Sequence, residues 1–125
     1  MKLYIVANRL PVKAVPRQDS YTFVRSEGGL ATGLDSLQIS MEKHWIGWPG
    51  VCVDNARQQI EIRQHLETMD FHPIFLSEEQ YHDYYEGYSN STIWPLCHYF
   101  FSHTTVRKEY WESYQKVNAL FCEEI

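Results

Sequence analysis

The order of apolar runs along the chain predicts an α/β fold built on a parallel sheet. Three short β-branched and aromatic runs, "KLYIVAN", "HWIGWPG" and "FHPIFLS", read as buried strands, with helical periodicity between them. Strands that alternate with helices need crossover connections, and crossovers bring strands together in parallel. At 125 residues the chain suffices for one domain with a modest core.

The elements follow in order. "KLYIVAN" is the first strand, and it ends at Arg9-Leu10-Pro11. "VKAV" and "YTFVR" flank the turn-rich "PRQDS", which predicts a hairpin or flap. Being polar, Pro16 to Glu27 is expected to be a mobile cover that closes over ligand. In "SEGGLATGLDSLQISMEK", Leu30, Leu34, Leu37 and Met41 share one helix face. "HWIGWPG" is the second strand, stopped by a tight Pro49-Gly50 turn, with Trp45 and Trp48 as structural residues.

"DNARQQIEIRQHLETMD" opens with Asp54 as its cap and reads as a surface helix. "FHPIFLS" is the third strand. Ser77 caps the next helix, with Glu78 and Glu79 in its first turn, where the helix dipole favours acidic groups. Gly87 is expected to interrupt that helix, and Ser89-Asn90-Ser91 to recap a second one. The last segment places Tyr110, Tyr114, Val117 and Phe121 on one face and is the clearest amphipathic helix. Three strands make a small sheet and the last element is a helix, so the pattern suggests a piece of a larger α/β protein.

Composition narrows the class. Hydrophobic residues make up 44%, too many for a disordered chain. No run of 18 apolar residues exists, so no membrane span is expected. The start of the chain reads as a strand, since it lacks the small-residue cleavage site of a signal peptide. Cys52, Cys97 and Cys122 are odd in number with no C-x-x-C pair, which predicts reduced thiols in a cytosolic protein. Cys97 and Cys122 fall in apolar sequence and are expected to be inert. The net charge of −5 argues against nucleic acid as a partner. Yet residues 1–30 carry five basic and two acidic groups, which could attract a small anion.

Ligands of open parallel sheets bind outside the carboxyl ends of the strands. Asn8 and Arg9 stand at such an end, and Gly28-Gly29 opens the Leu30 helix, where free N–H groups favour an anion. The same residues can also be a surface arginine and a plain chain turn, since a lone Gly-Gly pair is a weak signal. "YYEGYSNSTIWPLCHYF" gathers Tyr84, Tyr85, Tyr88, Trp94, Tyr99 and Phe100 among small polar residues. Flat rings suit the C–H faces of sugars, though rings are also ordinary core material. Trp94 precedes Pro95, which restricts its backbone and suits a rigid binding wall. The histidines have no metal-ligand spacing; His98 and His103 are five apart, wrong for one helix face. No nucleophile elbow, Walker loop or G-x-G-x-x-G is present.

Five blocks in order, "ANRLPV", "GGLATGL", "WIGWPG", "FLSEEQYHDYYEGYSNSTIWPLCHYF" and "WESYQKVNALF", make the chain from Leu3 to Phe121 resemble the N-terminal part of the trehalose-6-phosphate synthase family. That family consists of retaining glycosyltransferases that join UDP-glucose to glucose 6-phosphate. The resemblance implies a partial Rossmann-like domain with a parallel sheet, the N-terminal part of a two-domain glycosyltransferase. Residues 1–125 would be the first part of the acceptor-binding domain, with the donor-binding domain absent. It implies that Arg9 binds the acceptor phosphate, that Tyr85 and Trp94 contact glucose 6-phosphate, and that Gly28 and Gly29 contact UDP-glucose. The family's acceptor-binding aspartate and the histidine near the reacting carbon would lie beyond this chain, so none of these residues is catalytic. No metal and no cofactor is implied. The partners are the two small-molecule substrates, with no nucleic acid and no membrane, and the place of work is the cytoplasm. The segment between Arg9 and Gly28 is long for the family. The fragment alone is expected to be inactive and, with an uncovered sheet edge, to self-associate. A non-catalytic sugar-phosphate-binding module, or a regulatory homologue, would use Arg9 and the aromatic block equally.

Overall fold

The computed structural model describes residues 1–125 apart from Glu27 and Gln38. The chain forms two compact units, Met1–Phe75 with Glu124–Ile125, and Leu76–Glu123. In the first, the strands are β1 (Lys2–Arg9), β2 (Val12–Arg17), β3 (Ser20–Arg25), β4 (Glu42–Trp48) and β5 (Phe71–Pro73), with helices α1 (Gly29–Asp35) and α2 (Ala56–Glu67). The three predicted strands lie side by side in the order β1-β4-β5. Both pairings are parallel, Lys2 beside Glu42 and Trp45 beside Phe71. β2 and β3 form a separate antiparallel hairpin.

One face of the sheet carries the core of this unit. Ile5 and Trp45 pack with Leu10, Ala14 and Val53 and with Ile62 and Leu66 of α2. The spacing of Ile62 and Leu66, one helical turn apart, puts both on the buried side of an otherwise polar helix. The hairpin is seated on the same core through Tyr21 and Phe23. Phe23 lies flat on His65 of α2, ring centroids 4.0 Å apart. The predicted loose cover is therefore a docked hairpin; Gln18 and Asp19 form its exposed turn, Gln18 at φ 49°. Glu27, at the end of that segment, lies outside the described residues.

Two local expectations shift. α1 ends at Asp35, so only Leu30 and Leu34 of the expected apolar face are helical. The Ser36 hydroxyl bonds back to the Gly33 carbonyl at 2.7 Å just past the helix end, and β4 begins at Glu42. The cap of α2 is Asn55, not Asp54: its side chain accepts from the N–H groups of Arg57 and Gln58. The Pro49-Gly50 turn is as expected, with Gly50 at φ 79°. At the strand starts, His44 Nε2 donates to Glu42 at 2.7 Å and His44 Nδ1 meets His72 Nε2 at 3.0 Å. The bond from His44 holds the Glu42 carboxyl below its ordinary range. No cluster of three groups able to hold a metal occurs among the described residues.

The second unit is helical. Ser77 caps α3 (Glu78–Tyr81) in a reciprocal capping box with Gln80. A π-helical segment (His82–Ile93) follows, then α4 (Trp94–Cys97), a 3₁₀ turn (Phe101–His103) and α5 (Lys108–Glu124). Gly87 does not interrupt the chain; the wide helix runs through it. Nor do the serines recap. Ser89 and Ser91 donate to the carbonyls of Tyr84 and Glu86, five residues back, at 2.9 and 2.8 Å. These bonds engage carbonyls that the wider winding would otherwise leave less well matched. α5 presents Val117 and Phe121 buried and Tyr110 and Tyr114 half-buried, as its periodicity predicts. Cys97 and Cys122 are exposed, so the apolar sequence around them does not bury them.

Tyr84 is buried and stacks on Tyr114, centroids 5.9 Å apart. Burial pushes its phenol up to about 12, with the neighbouring Tyr114 and Tyr85 adding to the rise. The folded state thus holds this proton more tightly than the unfolded chain does. The corresponding stability is complete below the unfolded value near pH 10 and is lost as pH climbs through about 12. Urea midpoints measured from pH 9 to 12 are expected to fall in that window and to fall less in a Tyr84→Phe variant. Equal slopes for both would show that Tyr84 titrates as if exposed.

Candidate functional site

Arg9 ends β1, and its position is set by a packing constraint. Between Val6 and Arg9 the register slips, with three residues of β1 spanning two of β4. The slipped backbone rests on Gly47. A Cβ there would stand 2.8 Å from the Ala7 carbonyl oxygen and from the Arg9 carbonyl carbon, and 2.9 Å from the Leu10 nitrogen. Two bonds hold the tip: the Trp45 indole N–H donates to the Arg9 carbonyl at 3.2 Å, and Leu10 N–H donates to the Trp48 carbonyl at 3.0 Å. The exposed guanidinium of Arg9 then lies over the buried Trp48 ring, 5.3 Å from its centroid. Such a contact, worth about 0.5–1 kcal/mol, orients the cation. Beside it, Asn8 Oδ1 is buried and has no donor among the described residues. An unmatched acceptor costs about 1–3 kcal/mol, so its presence at a strand tip calls for an explanation.

Gly28 and Gly29 open α1 in the same unit. Gly28 is its cap, with no side-chain bond to the first turn. Among the described residues a Cβ at Gly28 or Gly29 would meet nothing within 4 Å, so no packing of those residues excludes a side chain there. What their smallness provides is unobstructed backbone.

Tyr85 and Trp94 belong to the second unit. Tyr84 and Tyr85 diverge: Tyr84 is core, whereas Tyr85 is half-buried and stacks on Tyr81 with centroids 5.4 Å apart. Gly87 is buried because the Tyr110 ring fills the space a Cβ would need, at 2.8 Å. Trp94 is 52% exposed. Its backbone is helical, φ −60° and ψ −50°, despite the proline that follows, so Pro95 fixes the first turn of α4 instead of extending the chain. His98 stacks on the indole at 4.0 Å, and Phe100 runs parallel to it at 6.2 Å. Trp94, Pro95, Phe100 and His103 line an apolar depression of ≈ 240 Å³.

Sequence reasoning singled out Arg9, Gly28, Gly29, Tyr85 and Trp94. It passed over Gly47 and gave Trp48 only a structural role. It also missed His98, which was weighed only as a metal ligand. The i,i+4 spacing of Trp94 and His98 is the signal that could have found the last.

A family model described as Glycosyltransferase family 20 matches residues 1–125. An alpha,alpha-trehalose-phosphate synthase (UDP-forming) from Botryotinia fuckeliana is 37% identical over 125 residues, covering 99% of this chain and 24% of that protein. A trehalose-6-phosphate synthase from Mycolicibacterium vanbaalenii is 44% identical, covering 95% and 25%. The solved structure of a UDP-forming synthase from Burkholderia xenovorans in complex with glucose 6-phosphate shares the fold, with a TM-score of 0.65 at 23% identity over 98% of this chain and 24% of that one. The chain thus spans about a quarter of the length of the relatives it matches.

Replacing Gly47 by alanine is expected to cost about 1–3 kcal/mol, the scale of overpacking against atoms that cannot retreat. The check is the urea midpoint at constant slope. An unchanged midpoint would mean that the β1 tip moves aside freely.

Proposed function

The chain belongs to glycosyltransferase family 20, and from that premise we propose that it supplies the N-terminal part of the acceptor-binding domain of a retaining synthase that transfers glucose from UDP-glucose to glucose 6-phosphate. The observation that carries this reading is Arg9, a guanidinium held over Trp48 at the carboxyl end of a parallel strand. Ligands of such sheets gather at that edge, and a planar fork matches a phosphate with two hydrogen bonds. In this reading Arg9 binds the acceptor phosphate. Tyr85 and Trp94 hold the sugar through a phenol and an aromatic face. The bare backbone of Gly28 and Gly29 serves the donor.

Transfer with retention and no protein nucleophile requires the acceptor hydroxyl on the leaving-group face and electrostatic support for the departing diphosphate. Residues 1–125 would contribute positioning, not the base. The partners would be these two small molecules, and the place of work the cytoplasm, which suits the three free cysteines.

In the complete enzyme, Arg9→Ala is expected to weaken use of glucose 6-phosphate by about 2–4 kcal/mol in kcat/KM, the scale of losing a charge-assisted pair. Unphosphorylated glucose should be little affected. Equal losses for both acceptors would assign Arg9 to the fold.

Residues 1–125 alone are expected to release no UDP from UDP-glucose and glucose 6-phosphate above a buffer control, since the reaction depends on closing two domains around a dry cleft. The isolated fragment is also expected to self-associate, read by sedimentation. Among the described residues β1 pairs with β4 alone, and Tyr4 and Val6 are about half exposed, at 52% and 48%. UDP release that disappears with Arg9→Ala would overturn the expected inactivity of residues 1–125 alone.

A further inference from the structure

The indole of Trp94 has two faces, and the structure treats them differently. His98 lies on one, with ring centroids 4.0 Å apart and planes within 17°. The two residues stand four apart on consecutive turns, the spacing that brings helical side chains together. His98 is also tied to the backbone of the residue it covers. Its Nδ1 lies 2.8 Å from the Trp94 carbonyl, which already accepts the His98 backbone N–H at 3.1 Å. A carbonyl only accepts, so this bond places the ring proton on Nδ1 and fixes the orientation of the imidazole. An aromatic ring so tethered acts as a backing plate. It removes one face of the indole from use and restrains rotation about the Trp94 side-chain bonds.

Trp94 nevertheless remains 52% exposed, with Phe100 parallel to it at the longer distance of 6.2 Å. The depression of ≈ 240 Å³ is lined by Trp94, Pro95, Phe100 and His103, and His98 is not among its lining residues. The structure assigns His98 as a positioning residue: it holds Trp94 so that the part of the indole lining this depression is presented to a sugar ring of the acceptor. The inference rests on the proposed role of Trp94 in binding glucose 6-phosphate. It adds a residue that touches Trp94 and not the ligand. A flat side chain at position 98 is what the role demands. The imidazole charge is not needed.

The test uses the complete enzyme that carries this chain, with three variants: Trp94→Leu, His98→Ala and His98→Phe. KM for glucose 6-phosphate, KM for UDP-glucose, kcat and Tm are measured for each. His98→Ala is expected to raise KM for glucose 6-phosphate about 3–10-fold, the equivalent of one lost aromatic pair. KM for UDP-glucose, kcat and Tm should stay as in the parent. His98→Phe, which restores a flat ring, should return KM for glucose 6-phosphate to near the parent value. A His98→Ala variant with unchanged KM for glucose 6-phosphate, beside a Trp94→Leu variant with a raised one, overturns the positioning role and leaves the acceptor site standing. Failure of His98→Phe to rescue also overturns it. If Trp94→Leu leaves KM for glucose 6-phosphate untouched, the acceptor reading of Trp94 falls, and the role of His98 with it.

Discussion

The close approach of the β1 tip to Gly47 is the contact on which the arrangement around Arg9 depends. Without a Cβ on Gly47, the Ala7 carbonyl, the Arg9 carbonyl carbon and the Leu10 nitrogen come to within 3 Å of where that atom would be. This approach accommodates the extra residue that β1 carries between Val6 and Arg9. It lets Leu10 bond to Trp48 and Trp45 bond to Arg9, and so turns the Arg9 side chain over the Trp48 ring. A cation needed at a strand end is costly to hold by side-chain contacts alone, because a long side chain loses much rotamer freedom. Here the backbone is fixed first and the indole restrains what remains.

The second unit solves its problem with rings. Tyr84 and Tyr88 pack on Tyr114, and Tyr110 fills the space beside Gly87. A helix wide enough to bring Tyr84 inward leaves Tyr85 half-exposed beside Tyr81. The tyrosines that look alike in sequence therefore divide into core and surface. Trp94 follows the same logic on a shorter helix, with His98 stacked on it and Phe100 parallel to it, while about half of its surface stays exposed.

Much of this was legible in advance. β1, β4 and β5 announced themselves as β-branched runs, and their alternation with helices required parallel pairing. Ser77 and α5 were equally plain, since capping and amphipathic spacing are local properties. The misreadings have both local and distant causes: the cap of α2 fell one residue along, on Asn55, whereas others depended on a partner far off in sequence. α1 ended at Asp35, so its expected Leu37 and Met41 positions fell outside the helix, before β4 begins at Glu42. Gly87 looked like a break until Tyr110 occupied its missing side chain. Phe23 and Tyr21 looked like part of a loose cover until the core received them.

The sequence by itself determined the α/β class and the family, and nominated Arg9, Gly28, Gly29, Tyr85 and Trp94 for the proposed site, because strand and helix periodicity and ordered motif blocks are carried by the chain alone. Only the tertiary structure decided how two of these side chains are held. The indole under Arg9 comes from β4, across a pairing that joins residues 39 positions apart. The imidazole on Trp94 needed the actual turn of α4, which Pro95 could equally have replaced with an extended segment. Orientation of a side chain is a property of everything that surrounds it, and sequence spacing records only the part of those surroundings that lies within a few residues.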